Sequence, residues 1–140
     1  LLLFQGEEMT FADTSAIFAL INPNDEFHNS AKEWFVHQRP KLVLTDYIVD
    51  ELLALAISRG NKEFALMISK KVRYLAGVKK ITEEDFYKAW EIFDRYKDKS
   101  WSLTDCTSYV FMKRSGIKKA FAFDPHFDQF RSVLREPVVL

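Results

Sequence analysis

The chain has 140 residues, 48% hydrophobic and 15% aromatic, with only four glycines and four prolines, which excludes a disordered or collagen-like chain. Twenty basic residues balance twenty acidic ones, so a globally basic, nonspecific nucleic-acid binder is excluded while a locally basic face is not. The lone Cys106 forbids an internal disulfide, and no strictly apolar run exceeds six residues, as in Ala16–Ile21, too short to cross a bilayer.

These features fit a soluble, cytoplasmic globular domain with no membrane association. Leu1–Gly6 contains LFQG, which resembles a protease site used to remove purification tags. Residues 1–8 are therefore read as a tag remnant, and 9–140 as a single domain.

Met9–Ala12 is β-compatible and ends at Asp13, after which Thr14 or Ser15 opens the apolar stretch Ala16–Ile21. His28–Gln38 reads as a helix stopped before Pro40, and Leu42–Leu44 as a buried strand. Helical spacing recurs over Tyr47–Ser58, ended by Gly60, and over Asn61–Leu75, ended by Gly77. Val78–Ile81 is a weak strand. Thr82-Glu83-Glu84-Asp85 is a near capping box opening the next helix. Leu103–Arg114 forms a further helix punctuated by Gly116. Lys119–Phe123 alternates into a strand, and Val138–Leu140 is a candidate edge strand with Pro137 limiting its pairing. Short strands separated by helices or helix pairs predict a three-layer α/β/α sandwich around a small, mostly parallel sheet.

Four acids stand in unusual places. Asp13 and Asp124 each end an apolar strand, where open parallel sheets bind ligands. Glu51 lies early in the helix after the second strand, and Asp105 in the first turn of its helix. Each has an ordinary reading: Asp13 as a cap, Asp105 as a dipole partner, Asp124 as a turn starter, Glu51 as a partly exposed helix carboxylate. Together they form a different pattern, because no Lys or Arg adjoins any of them in sequence. An unpaired carboxylate cluster is costly unless a cation joins it. Hard oxygen ligands suit Mg²⁺ or Mn²⁺, and such ions serve phosphodiester chemistry.

At these residues the chain resembles a known family. DTS at Asp13–Ser15, TDYIVDELLAL with Glu51, SLTDCTSYVFM with Asp105 and FAFDPHF with Asp124 are similar to successive motifs of PIN-domain ribonucleases, VapC-type toxins above all. The resemblance runs from Thr10 to Phe130. It implies a PIN-like fold and a Mg²⁺- or Mn²⁺-dependent RNA endonuclease, with Asp13 and Asp105 as principal metal ligands and Glu51 and Asp124 completing the site. Thr14, Ser15, Ser102 and Thr104 would be supporting hydroxyl neighbours. It also implies a homodimer and a small, VapB-like antitoxin partner. Alternatives are a housekeeping RNA-processing nuclease without antitoxin and a non-catalytic PIN-like binding module.

The remaining polar residues read more simply. His126 is taken as a surface or capping histidine that could touch substrate, and Cys106 as a core residue. Asp46 and Asp50 are taken as a solvated face. Trp101 could stack on a base, and Lys113–Lys119 is the best candidate to track phosphates. Apolar Val49, Leu53, Phe64 and Met67, lying off a single stripe, mark the helices expected at the dimer interface.

Overall fold

The computed structural model describes residues 9–137; the suspected tag remnant and Val138–Leu140 lie outside them. Five strands form one sheet in the order β3-β2-β1-β4-β5. They are β1 (Met9–Ala12), β2 (Lys41–Thr45), β3 (Ala76–Lys79), β4 (Lys119–Phe121) and β5 (Leu134–Glu136). Every pairing among the described residues is parallel. Six helices connect them: α1 (Thr14–Ile21), α2 (His28–Gln38), α3 (Asp46–Arg59), α4 (Lys62–Leu75), α5 (Glu83–Arg95) and α6 (Leu103–Ser115). A 3₁₀ turn, Pro125–Gln129, follows β4.

Side-chain alternation along the strands gives the layers. Ala12 pairs with Phe121 and shares its face, while Phe11 points the other way. Phe121 stacks on Trp34 of α2 at 4.3 Å, whereas Phe11 meets Phe111 of α6 at 6.0 Å. Helices therefore cover both faces, the arrangement expected of an all-parallel sheet. Phe11, Ile17, Leu44, Ile48, Leu52, Ile68 and Phe121 are fully buried at its centre.

Two strands differ in extent from their sequence pattern, for identifiable reasons. The strand expected over Val78–Ile81 runs instead over Ala76–Lys79, because Ile81 leaves the ladder. Its N–H donates to Asp46 at 2.8 Å and its side chain is buried. Asp46 is thus a structural acceptor, not part of a solvated face. β4 ends at Phe121, two residues early. Ala122 N–H still pairs with the Glu136 carbonyl, but Phe123 N–H turns to the Ser15 hydroxyl.

The topology also fixes where a ligand can enter. From β1 the chain moves outward through β2 and β3, then returns to β4 and β5 on the other side. The connections leaving β1 and β4 diverge, which opens a crevice at the carboxyl ends of these neighbouring strands.

Candidate active site

Three helix or 3₁₀ N-termini converge on this crevice, each carrying a carboxylate. Asp13 follows β1 and caps α1; its Oδ2 accepts the Ser15 hydroxyl at 2.8 Å. Asp105 occupies the third position of α6 in a capping box. Its carboxylate accepts Ser102 N–H at 2.9 Å while Ser102 Oγ accepts its own N–H at 3.0 Å. Asp124 caps the 3₁₀ turn by accepting His126 N–H at 2.9 Å. Glu51 comes from the side of α3, where the Thr14 hydroxyl donates to its Oε1 at 2.5 Å. The ordinary reading of Asp13 as a cap is thus correct, and Asp105 and Asp124, read as a dipole partner and a turn starter, also make cap hydrogen bonds that orient their side chains. A cap fixes one carboxylate oxygen and leaves the other lone pairs free.

All four acids line one cleft of about 590 Å³, with Thr14, Ser15 and Ser102 beside them. Thr104 stands apart from that lining; its carbonyl accepts the hydroxyls of Thr107 and Ser108 inside α6. Burial and then the neighbouring charges of Asp105, Glu51 and Asp124 raise the Asp13 carboxyl to about 7, against the lowering effect of Ser15. Glu51 is also raised, chiefly by burial, although Thr14 opposes the shift. Among the described residues no Lys or Arg bonds to any of the four.

His126 belongs to the cluster, which its lone position in the sequence did not reveal. Its Nδ1 lies 3.0 Å from Asp105 Oδ2 and 3.3 Å from Asp124 Oδ1, and its Nε2 lies 3.2 Å from the Ser100 hydroxyl. The ligand atoms of Asp105, Asp124 and His126 all lie within 4.8 Å of one another, close enough to share one ion. The crowded, cation-poor carboxylates fit a divalent ion, and their oxygen-rich donor set favours a hard one. The signal available in sequence was the two-residue step from Asp124 to His126, which a 3₁₀ cap folds back onto itself.

Two other expectations fail on geometry. Lys113–Lys119 begins eight residues beyond Asp105, ~12 Å along the α6 axis, and none of its residues lines the cleft. Lys113 and Lys118 line a separate small cavity. Trp101 does not line the cleft; its indole donates to Gln129 at 2.9 Å and packs on Phe130. Cys106 is fully buried beside Ala89 and Val110, as its helical context suggested. Residues that sequence reasoning missed include Arg59, Phe27 and Phe123, which line the same cleft from three different elements.

Residues 10–133 match the PIN domain, and the chain belongs to that family. It is homologous to the 23S rRNA-specific endonuclease VapC20 of Mycobacterium tuberculosis. The two are 29% identical over 120 residues, covering 85% of this chain and 92% of that protein. The crystal structure of VapC20, described as a Sarcin-Ricin loop cleaving toxin, matches with a TM-score of 0.80 at 28% identity. The match spans 89% of this chain and 98% of that one. VapBC2 from Rickettsia felis, solved on a DNA fragment from its promoter, shares the fold at a TM-score of 0.68 and 10% identity. That match spans 91% of this chain and 97% of the other.

Proposed function

We propose that this chain is a Mg²⁺- or Mn²⁺-dependent RNA endonuclease and the toxin of a toxin–antitoxin pair. Its substrate on this reading is a structured ribosomal RNA loop in the cytoplasm. The endonuclease class rests on the family and on VapC20, whose own target is 23S rRNA. The observation that carries the reading is the convergence of Asp13, Glu51, Asp105 and Asp124 in one cleft without a bonded Lys or Arg.

Asp105, Asp124 and His126 would hold a metal ion, with Asp13 and Glu51 completing the acidic wall. Such an ion supplies an activated water and stabilises charge on the leaving oxygen of a phosphodiester. The protein's part is orientation. Ser15 aims Asp13, Thr14 aims Glu51 and Ser102 aims Asp105, so these carboxylates need little reorganisation to meet a cation.

An antitoxin could silence this wall by inserting an Arg or Lys among the carboxylates. Saturating Mn²⁺ should then weaken the partner's binding. Self-association is supported by exposed Leu66 and Met67 on α4 and by Tyr87, Trp90 and Phe93 on α5. Val49, Leu53 and Phe64, which the sequence suggested for that interface, are partly buried against the chain's own core and keep part of their surface exposed.

The reading is tested by incubating the protein with 23S rRNA and an isolated sarcin–ricin stem-loop, with Mn²⁺ or with EDTA. Defined new ends that require the metal support it. Cleavage that persists in EDTA overturns it.

A further inference from the structure

A cleft lined by Asp13, Asp25, Glu26, Glu51, Asp105 and Asp124 repels a polyanion everywhere except where cations stand. Among the described residues lining it, one permanent cation is present: Arg59, the last residue of α3. Glu51, Leu55 and Arg59 follow one another at four-residue intervals, so one stripe of α3 forms a wall of the cleft. The eight-residue step from Glu51 puts Arg59 ~12 Å along the helix axis from the carboxylate cluster. That is beyond the reach of a phosphate seated at the carboxylates, but still within the lining of the same cleft.

Arg59 is also kept available. It makes no ion pair among the described residues, although acids surround it. Its guanidinium lies over the Phe18 ring, 5.6 Å from the centroid, and Phe18 is itself braced edge-on by Phe64 at 6.0 Å. Stacking restrains the guanidinium plane without using its N–H donors. A restrained guanidinium with unused donors matches a phosphate diester. The cleft continues past Arg59 into a second groove where Asp25 and Glu26 stand beside Phe18, Asn22, Asn24, Gly60 and Phe64, so Arg59 is the one cation lining either groove among the described residues.

We infer that Arg59 is a substrate-positioning residue that grips a backbone phosphate neighbouring the scissile one. The assignment rests on the RNA-endonuclease reading for its reaction, but it makes its own claim about binding. The expected effect of Arg59→Gln is a KM for RNA raised about tenfold, with kcat changed less than about threefold. The salt dependence of binding should become shallower by about one phosphate contact. Arg59→Lys keeps the charge but loses the planar fork, so it should recover only part of the KM. Arg59 is exposed, and both variants should melt with the wild type.

The experiment pairs cleavage kinetics with fluorescence anisotropy on a 2′-O-methyl, non-cleavable copy of the sarcin–ricin loop in Mg²⁺. If wild type cleaves but Arg59→Gln leaves KM and salt slope unchanged, the Arg59 assignment falls and the endonuclease reading stands. If wild type binds the oligonucleotide through Arg59 but never cuts RNA, the phosphate grip stands while its placement beside a scissile bond and the endonuclease reading both fall. Loss of kcat at constant KM, or no binding by wild type at all, overturns the assignment.

Discussion

Thr82–Asp85 and Ser102–Asp105 are two copies of one capping motif, opening neighbouring helices that pack against each other. In both, the hydroxyl accepts the N–H of the aspartate three residues on, and the aspartate accepts the hydroxyl residue's N–H. Both aspartates are buried. Their surroundings differ in sign. Asp85 meets Arg114, whose Nε and Nη2 donate to it at 2.8 Å each, and its carboxyl is held below the ordinary range. Burial would raise it, but the hydrogen bonds from Arg114 and Thr82 prevail. Asp105 faces Asp13, Glu51, Asp124 and His126. The same local device thus serves as a closed ion pair at one helix start and as an open anionic site at the other. Whether the cation is supplied from within the chain decides which.

The largest expected effect lies on the open side. Asp13, raised from 3.8 to about 7, keeps a proton in the folded metal-free protein that the unfolded chain releases. Its contribution to stability is complete below pH ~4 and is lost as pH rises through about 7, a change of up to ~4 kcal/mol. Urea unfolding in EDTA from pH 4.5 to 7.5 should show this decline in wild type and a flatter curve in Asp13→Asn. Equal slopes would remove the buried acid from the account.

The closed side should respond in the opposite sense. Arg114→Met leaves the Asp85 carboxylate with Thr82 N–H as its remaining partner and, because the guanidinium is half exposed, should cost about 2 kcal/mol at pH 7, read from urea midpoints. Because the Asp85 carboxyl is lowered, its support is present above the ordinary value and disappears as pH falls through the folded one. The penalty of Arg114→Met should therefore shrink in acid. A constant penalty across that range would mean that packing, not charge, holds the pair.

Next in size is Asp105→Asn, which relieves repulsion on Asp13 and Glu51. The metal-free variant should melt at or above wild type, within about 1 kcal/mol, and lose both its Mn²⁺-induced stabilisation and RNA cleavage. A destabilised variant with an intact metal response would make Asp105 a simple cap. The smallest effect is shared: Thr82→Ala and Ser102→Ala should each cost about 1 kcal/mol, because the caps are alike. Thermal melts of the two in EDTA should nearly coincide.

Much of this architecture was written in short-range chemistry. The Thr82–Asp85 capping box, Gly60 and Gly116 mark helix ends within a residue or two, because caps are local. The four acids stood out because each lacked a nearby cation in sequence, and the sheet order does bring them to one cleft. What stayed hidden depends on direction and adjacency. Lys113–Lys119 looked close to the site because both Asp105 and Asp124 flank it in sequence. But α6 carries the chain to the opposite edge of the sheet before β4 returns. His126 offered only its two-residue step from Asp124, and Arg59 offered no signature of its own. One is folded in by a 3₁₀ cap and the other by the length of α3.

The Ser15 hydroxyl joins two strands that touch the site from different halves of the chain. It receives Phe123 N–H at 3.0 Å and passes its own proton toward Asp13 at 2.8 Å. An amide donating into a hydroxyl polarises it, so each bond strengthens the next. The end of β4 is thereby tethered to the carboxylate after β1 through a single oxygen atom. The carboxylate after β1 and the segment leading to Asp124 and His126 are thus held in one register by a side chain that itself touches both.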